Sequence, residues 1–431
     1  MGALLGQQGR GVVMLERRPD PRLSAAESGR SINLALSTRG ISALERVGLA
    51  ESVLGLATPL RGRMIHSIKG DLAFQPYGRK GQAIHSISRA DLNRILIDGA
   101  ERTGNVELHF GRRCTAVDLD HGTVTAGDAG AGETPVHFGG TVIGTDGAYS
   151  IVRREMQRLE RQDFSQAYLS HGYKELYIPA GPDGRHLLDR NALHIWPRGG
   201  FMLMAMANVD GSFTGTLYLA HQGREGFSSL SGAAEVRAFF ERWFPDAVPL
   251  FPNLAEEFAS RPVGSLVTIR CRPWHVGGSA VLVGDSAHAV VPFFGQGANA
   301  AFEDCLALEQ ALIEHPRDQE TAFSVYEARR APNTDALADL TIGNFREMRD
   351  KVASPLFRLE KKGSALLHAL LPRWYLPLYS MITFSTIPYA AARSRAIRQR
   401  RAIVAATILL LFALLAAAAF FSVTCCSDPM R

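Results

Sequence analysis

The residues best suited to chemistry lie in residues 284–305, GDSAHAVVPFFGQGANAAFEDC. The apolar run 280–283 predicts a buried strand, and Asp285 follows where a parallel strand would end. Ligands of open α/β sheets bind at that edge. Glycines flank Gln296, and from Asn299 onward apolar residues recur at helical spacing. The pattern predicts that backbone N–H groups and the positive end of a helix lie beside a carboxylate. The alternative interpretation is an ordinary strand, loop and helix in which the Asp is only a cap.

Other kinds of catalytic site find little support. The sequence has no Ser/His/Asp order, no metal-ligand cluster and no catalytic carboxylate pair, so we assign no catalytic side chain and no metal. A bound cofactor is expected to carry the chemistry, while the protein supplies position and electrostatics. The five cysteines show neither metal-ligand spacing nor a disulfide framework, which favours a reducing compartment: Cys114, Cys271, Cys305, Cys425 and Cys426.

The composition is that of a globular protein with two or three domains: 431 residues, 46% apolar and 21% charged. Its net charge of +5 is accounted for by residues 393–401, RSRAIRQRR, which contain five Arg and no acidic residue. The rest of the chain is therefore neutral overall. A basic groove is not indicated, and we expect no nucleic-acid partner.

Residues 402–423 form a run of 22 residues without a charge. At about 1.5 Å per residue a helix of this length crosses a hydrocarbon core of about 30 Å. A buried core helix is the alternative, although it would be shorter and interrupted by polar residues. The arginines before the run predict a tail anchor in membrane lipid with the body in the cytosol. We expect no signal peptide, since the N-terminus lacks a charged region followed by a long apolar one. The candidate destinations are the mitochondrial outer membrane and the endoplasmic reticulum, and the basic flank favours the mitochondrial outer membrane.

The beginning of the chain lacks an expected unit. Residues 12–15 predict a strand ending in Glu16, the kind of acidic strand end that binds an adenosine ribose. A strand and a GxGxxG turn should precede it, yet only Gly2 could belong to such a turn. We therefore expect a dinucleotide fold without its first strand, and a chain that is truncated at its start.

The pattern GDxxHxxxPxxGQGxN resembles that of the FAD-dependent aromatic hydroxylases. Seven further stretches narrow the resemblance to the kynurenine 3-monooxygenase family, over nearly the whole chain after Gly2: GRSINLALS from Gly29, RMIHS (63–67), PYG (76–78), SRADLN (88–93), GTDGAYSIVR (144–153), HGYKEL (171–176) and LHIWPR (193–198). Gly29 and its short polar neighbours suit a chain that passes close under a cofactor.

The resemblance implies FAD as cofactor, NADPH as co-substrate, and L-kynurenine and O₂ as small-molecule substrates. NADPH would reduce FAD, O₂ would add to give a flavin C4a-hydroperoxide, and its distal oxygen would hydroxylate the kynurenine ring to 3-hydroxy-L-kynurenine. The implied cofactor-binding residues are Glu16, Arg17, Ala35, Arg89, Cys114, Asp146, Ile151, Asp285, Ala298 and Asn299. The implied substrate-binding residues are Arg63, Tyr77, Asn344 and Tyr379.

Several of these residues also have structural interpretations. Arg89 would occupy the first turn of a helix capped by Ser88, with Asp91 three residues on. Asp146 could simply form the turn at a strand end. Tyr379 could be an interfacial aromatic near the membrane. His288 and Pro292 are interpreted as shaping the loop rather than carrying protons.

The predicted fold is α/β: a Rossmann-like FAD-binding domain without its first strand, a second mixed or antiparallel sheet domain, a C-terminal helical region and one transmembrane helix. We expect a helix at 41–53, strands at 106–110 and 117–124, and helices after Pro332. The predicted division is FAD-binding parts 1–58, 81–154 and 262–330, a substrate-domain insertion 59–80, a substrate domain 155–261, a helical region 331–392 and the transmembrane helix 402–423.

Two alternatives to this function remain. A related FAD monooxygenase could act on a lipid or another aromatic ring, but the cation at Arg63 favours an amino-acid substrate, because a lipid site would be apolar throughout. An inactive, flavin-free membrane protein is suggested only by the missing fingerprint at the start of the chain.

Overall fold

The computed structural model describes residues 1–23, 33–128, 136–159, 161–351 and 354–426. Gly29 therefore lies outside the described residues. The strands are β1 (Val12–Glu16), β2 (Asn33–Leu36), β3 (Thr58–Leu60), β4 (Gly62–His66), β5 (Leu72–Pro76), β6 (Ile84–Ser88), β7 (Val106–Phe110), β8 (Arg112–Asp118), β9 (Thr123–Asp128), β10 (Val136–Gly139), β11 (Val142–Gly144), β12 (Asp163–Ile178), β13 (Ala192–Pro197), β14 (Met202–Ala207), β15 (Phe213–Ala220), β16 (Gly264–Arg272), β17 (His275–Val276) and β18 (Ala280–Leu282).

The helices, in chain order, alternate with these strands and then dominate after β18. They are α1 (Gly2–Gln7), α2 (Thr38–Arg46), α3 (Ala50–Gly55), α4 (Arg89–Glu101), α5 (Ile151–Met156), α6 (Ala233–Trp243), α7 (Leu254–Ser260), α8 (Asp285–His288), α9 (Gly297–Glu314), α10 (Gln319–Arg346), α11 (Pro355–Leu370), α12 (Leu378–Thr383) and α13 (Tyr389–Cys426). A π-helical turn, Glu347–Lys351, follows α10 directly.

Two of the parallel ladders among the described residues are short and lie outside the large second sheet. β1 pairs with β7, and β11 pairs with β18, which also takes β17 as an antiparallel neighbour. β18 is completely buried, and Asp285 follows it within three residues. The predicted strand and its carboxyl-end Asp are thus both observed.

β1 and β18 belong to separate sheets in the described part of the chain. Val13 and Met14 of β1 are 47% and 36% exposed, unusual values for apolar strand residues. The Met14 side chain nevertheless contacts α1, and a Cβ on Gly2 would lie 2.6 Å from its sulfur. Because Gly2 has no side chain, the first turn of α1 can approach β1 closely.

The second sheet has seven strands in the order β16-β12-β15-β14-β13-β4-β5. Within it β4 and β13 run parallel, and the other neighbours are antiparallel. Residues of β13 alternate between two cores: Leu193 and Ile195 face an aromatic cluster on one side, while Trp196 faces the core under α6 and α7. β4 and β5, from residues 62–76, thus complete a sheet built mainly from residues 163–272.

Two local predictions were wrong. Residues 41–53 form two helices, α2 and α3, because Gly48 adopts φ of +74°, the left-handed conformation that ends a helix. Residues 117–124 span the turn between β8 and β9, with Gly122 at φ of +62°. Val117 and Val124 thus belong to two different strands, β8 and β9, in which they are paired partners.

α10 begins at Gln319, well before the boundary predicted at residue 330, and continues through Pro332. A proline inside a helix removes one backbone hydrogen bond. The helix persists because buried side chains lie on both sides of the proline, Phe323 and Tyr326 before it and Leu337 after it. Tertiary packing therefore outweighs the local preference of the chain.

α13 is longer than the apolar run that predicted it. Its first residues pack on the protein, with Tyr389, Ala392 and Gln399 buried. Beyond Ile403, which is half-buried, the described side chains are exposed, including Leu409 at 70%. Residues Tyr389–Ala418 are long and apolar enough to cross a membrane by length and composition.

Candidate active site

The GD segment is fixed by buried ionic contacts from α9 and α10. Asp304 accepts hydrogen bonds from the Gly284 backbone N–H at 3.2 Å and the Arg330 Nε at 2.6 Å, and its other contact is His288 Nε2 at 2.5 Å. Burial by itself raises the pKa of Asp304, but His288 and Arg330 hold it below the usual value. His288 is therefore committed to positioning the loop, as the sequence predicted.

Asp285 lies in a recess. Its side chain is exposed, yet desolvation raises its pKa, because protein surrounds the carboxylate without covering it. His288 and Arg89 oppose this shift. Arg89 is the exposed first residue of α4, and its charge also acts on Glu175, whose pKa burial raises. Arg89 is thus near enough to Asp285 for its charge to act on the carboxylate in this recess.

The N-terminal ends of α4 and α9 have no side-chain cap, which is also true of most other described helices. Ser88 is at the N-cap position of α4 as predicted, but its hydroxyl makes no capping hydrogen bond. Gln296 precedes α9 and makes none either, because its Oε1 accepts from Tyr389 at 3.0 Å. The first N–H groups of Arg89 and Gly297 are thus free of side-chain caps.

Asn299 acts as a clamp between α9 and the strand-helix unit β2-α2. Its Oδ1 accepts from the backbone N–H groups of Ser37 and Gly40 at 2.9 and 3.2 Å. Its Nδ2 donates to the carbonyls of Ala35 and Gly295, both at 2.8 Å. The side chain is completely buried, so any cofactor contact by Asn299 would come from its backbone. Ala298, half-buried in the first turn, has no such commitment.

The remaining predicted cofactor residues fall into two groups. Glu16 and Arg17 are exposed at the end of β1, where the Glu16 carboxylate accepts from the Arg18 backbone at 2.9 Å. Asp146 caps α5 by accepting from the Ile151 and Val152 backbone N–H groups at 2.6 and 3.2 Å. The turn-forming interpretation of Asp146 is therefore correct, whatever its role toward a cofactor.

Cys114 lies close enough to Asp146 for the carboxylate charge to affect the pKa of the thiol. Burial, with contributions from Asp146 and Glu155, raises the pKa of the thiol to about 11. The thiol is therefore neutral at physiological pH and unsuited to nucleophilic chemistry.

The predicted substrate residues form a compact aromatic cluster. The rings of Tyr77 and Tyr379 stack with centroids 5.1 Å apart, and the Arg63 guanidinium carbon lies 5.6 and 5.3 Å from the two centroids. Arg63 is only 8% exposed, and its Nε has no hydrogen-bond acceptor among the described residues. Tyr379 therefore packs inside this cluster, against Tyr77 and Phe294.

Arg63 remains charged in this setting. Burial lowers its pKa, but Tyr77, Tyr379 and Glu347 more than compensate and raise it. A buried guanidinium with an unused N–H and two flanking rings suits an anionic group attached to an aromatic body.

Asn344 reaches the same core from the end of α10. Its Nδ2 donates to the Phe293 carbonyl at 2.6 Å, which leaves Oδ1 as the atom for an incoming donor. Phe293 stacks on Phe345 at 4.1 Å, and Met348 completes the apolar surface.

Sequence reasoning left Phe293, Glu347 and Met348 unassigned. Two sequence features could have identified them. Phe293 lies inside the motif PFFGQG, and Glu347 and Met348 follow Asn344 at helical spacing.

A buried polar chain lies behind this cluster, on the opposite face of the second sheet. His66 contacts Asp246 through Nδ1 and His194 through Nε2, both at 2.9 Å, and stacks on Trp196. Burial lowers the pKa of His194 to about 4. Both histidines occur in motifs that carried the resemblance, RMIHS and LHIWPR, yet received no role.

These donors and acceptors fit FAD. The cation Arg89 and two helix ends without side-chain caps suit a pyrophosphate and the electron-rich end of a flavin, while Asp285 can accept from ribityl hydroxyls. A Cβ on Gly297 would meet only Val290, at 3.9 Å, so the start of α9 is open to a flat ring. The recess and the aromatic cluster are joined through β2 and the Pro292–Phe294 turn, because Ala35 and Phe293 pack in the same core.

Comparison with known proteins agrees with this assignment. The family described as FAD binding domain matches residues 1–198 and 254–341. A kynurenine 3-monooxygenase of Myxococcus xanthus is 47% identical over 391 residues, which cover 90% of this chain and 84% of that protein. A kynurenine 3-monooxygenase of Dictyostelium discoideum is 42% identical over 416 residues, with 94% and 89% covered.

Solved structures share the fold at lower identity. The tetrameric form of 2-methyl-3-hydroxypyridine-5-carboxylic acid oxygenase aligns with a TM-score of 0.65 at 20% identity, over 87% of this chain and 94% of that one. PqsL of Pseudomonas aeruginosa, in complex with 2-aminobenzoylacetate, aligns with a TM-score of 0.64 at 19% identity, over 81% and 93%. These likenesses establish the α/β architecture of sheets and C-terminal helices.

Proposed function

Because the chain belongs to the kynurenine 3-monooxygenase family and carries its FAD-binding domain, we propose that it hydroxylates L-kynurenine to 3-hydroxy-L-kynurenine with NADPH and O₂. The observation that supports this substrate most directly is Arg63, a charged guanidinium buried beside a stacked pair of tyrosine rings. L-Kynurenine combines an α-carboxylate with an aromatic ring, which matches that pair of features.

Each substrate residue has a distinct part in binding. Arg63 pairs with the α-carboxylate, and its planar fork fixes the orientation of that group. Tyr77 and Tyr379 stack on each other and make cation–π contacts with the guanidinium. Asn344 accepts from an amino group through Oδ1, since its Nδ2 is occupied by Phe293. These contacts place the ring of the substrate toward the recess.

The redox chemistry, hydride transfer from NADPH and activation of O₂, is that of bound FAD. The proposed cofactor contacts are Glu16, Arg17, Ala35, Arg89, Cys114, Asp146, Ile151, Asp285, Ala298 and Asn299. The seven-stranded sheet and its aromatic core, including Phe293 and Phe345, exclude water from the reacting atoms. The aniline nitrogen of kynurenine activates the ring carbon that is attacked, so no protein base is required.

The decisive experiment is a visible spectrum followed by a coupled assay. Purified full-length protein should show flavin absorbance, and L-kynurenine should stimulate NADPH oxidation with formation of 3-hydroxykynurenine. A related monooxygenase with another substrate would bind flavin without that stimulation. Protein free of flavin even after incubation with FAD would favour a non-catalytic membrane protein and contradict the proposal.

We also propose that α13 anchors the enzyme in the mitochondrial outer membrane with the body in the cytosol. The five arginines at 393–401 precede the apolar run and favour this orientation. The described side chains beyond Ile403 are exposed, whereas Gln399 is buried and Ile403 half-buried, so a test truncation should end at Ile403. Full-length protein should resist extraction by alkaline carbonate, and the truncated protein should be extracted. Extraction of both would contradict the anchor, and cell fractionation would identify the membrane.

A further inference from the structure

α11 presents an apolar stripe to solvent. Leu359, Leu366 and Leu370 are 65%, 60% and 67% exposed, and their spacing of seven and four residues places them along one side of the helix. The chain continues through Leu371 and Trp374, which are 49% and 46% exposed. We call Leu359, Leu366, Leu370, Leu371 and Trp374 the α11 stripe. An apolar surface of this extent indicates a contact beyond the folded chain itself.

The end of the stripe is fixed beside the proposed anchor. The Trp374 carbonyl accepts from Gln399 Nε2 at 2.7 Å, and Gln399 is three residues before the apolar run of α13. Three helical residues correspond to about 4.5 Å along the axis. Trp374 therefore lies at the level where α13 leaves the protein.

The turn that carries Trp374 is also tied back to α11. The Tyr375 hydroxyl contacts Ser364 Oγ at 2.8 Å, and the Tyr375 carbonyl accepts from His368 Nδ1 at 2.8 Å. The stripe, the turn and the start of the anchor are thus linked by hydrogen bonds.

The charges around the stripe are those of a lipid-binding helix. By sequence α11 carries three cations and one acid, the exposed Lys362 and Glu360 among them, and the five arginines of 393–401 lie on the adjoining part of α13. A basic helix with exposed leucines and a neighbouring tryptophan is typical of the interface of an anionic membrane.

We propose that the α11 stripe lies in the interfacial layer of an anionic bilayer, roughly parallel to its surface, as a second membrane contact beside α13. The inference rests on the proposed anchor, because the anchor brings the stripe to the lipid. A second copy of the chain could also cover the leucines, but the flanking cations favour anionic headgroups, since two basic helices facing each other would repel.

The test uses the full-length protein in phosphatidylserine-containing vesicles whose acyl chains are brominated near the headgroup, because bromine quenches tryptophan fluorescence on contact. Subtracting the signal of Trp374→Phe isolates Trp374, since Trp196 and Trp274 are buried and Trp243 is half-buried. We expect brominated lipid to quench the Trp374 signal roughly twofold or more, and aqueous iodide to quench it little.

The triple variant Leu359→Ser/Leu366→Ser/Leu370→Ser removes the apolar stripe and should restore quenching of Trp374 by iodide. Its matched control is Leu72→Ser/Leu187→Ser/Val209→Ser, three residues that are exposed elsewhere on the body. The control variant should behave as the wild-type protein does.

Iodide quenching without lipid quenching, in protein that still sediments with the vesicles, would overturn the inference and leave the anchor standing. Protein that fails to sediment at all would instead overturn the anchor. A wild-type dimer in detergent that the triple variant dissociates would assign the stripe to a second copy of the chain and also overturn the membrane contact.

Discussion

Around Asp285 the polar side chains stand exposed at the ends of separate elements, whereas around Arg63 they are buried against one another. Arg89 begins α4 and Asp285 follows β18, so the two charges come from separate elements of the chain. Arg63 and Tyr77 are both 8% exposed and share a cation–π contact. The recess therefore needs a ligand to connect its residues, while the substrate cluster is assembled before any ligand arrives.

This difference predicts where substitutions act. A change in the clamp that joins the two regions should affect folding, a change in the cluster should affect substrate binding, and a change at the rim of the recess should affect cofactor affinity only modestly.

The largest effect is expected from Asn299→Ala. The substitution leaves the backbone N–H groups of Ser37 and Gly40 and the carbonyls of Ala35 and Gly295 without their partners. We expect the free energy of unfolding to fall by roughly 4 kcal/mol, measured by urea denaturation. The exposed Asn253→Ala is the control, since Asn253 makes no capping hydrogen bond to α7. Equal stability of the two variants would show that the clamp is unimportant.

Arg63→Ala should act on the substrate rather than on folding or flavin content. Loss of a charge-assisted contact in a buried site costs roughly 2 to 4 kcal/mol, which corresponds to an increase in KM for L-kynurenine of about 30- to 1000-fold. Arg63→Lys keeps the charge but loses the fork, and should recover only part of the affinity. An unchanged KM in steady-state assays would exclude Arg63 from the site.

The sheet behind the cluster should make stability depend on pH. The pKa of His194 is lowered by burial to about 4 from its usual 6.5, so the unfolded chain binds this proton more readily than the folded protein. Stability from this group is therefore complete above pH 6.5 and is lost as the pH falls toward 4. We expect a loss of about 2 kcal/mol between pH 7.5 and 5.

The matched variant is His194→Gln, which cannot titrate. Its unfolding free energy should lose about 2 kcal/mol less over the same interval than that of the wild-type protein. Parallel curves for the two proteins, from urea denaturation at several pH values, would show that His194 is not responsible.

Much of the secondary structure was predictable from the sequence, because it follows from local patterns of residue type. The strand before Asp285, the helix at Asn299 and the alternating strands of the second sheet follow from periodicity and glycine placement. The grouping of Arg63 with Tyr77 and Tyr379 was implied only by the family resemblance, since these residues are far apart in the chain.

Other features depend on tertiary contacts that one sequence does not reveal. Nothing local indicates that His66 and His194 pair across parallel strands, or that Asp246 joins them from another element. The same holds for α10, which continues through Pro332 because both of its halves are buried. The exposed stripe of α11 was likewise visible only once the positions of its leucines were known.

The smallest effect is expected at the rim of the recess, from Arg89→Ala. Arg89 is exposed, so water and salt screen its charge, and its loss should weaken FAD binding only about tenfold, or roughly 1.4 kcal/mol. Arg94→Ala, on the same helix but paired with Asp91 at 3.5 Å, should leave FAD affinity unchanged. Titration of flavin-stripped protein with FAD at low and high salt separates the two, because only the Arg89 contribution should shrink as salt rises. If both variants bind FAD as the wild-type protein does, the recess holds its ligand through backbone donors alone. If Arg89→Ala instead lowers FAD affinity several hundredfold, the cofactor side is as tightly preassembled as the substrate side.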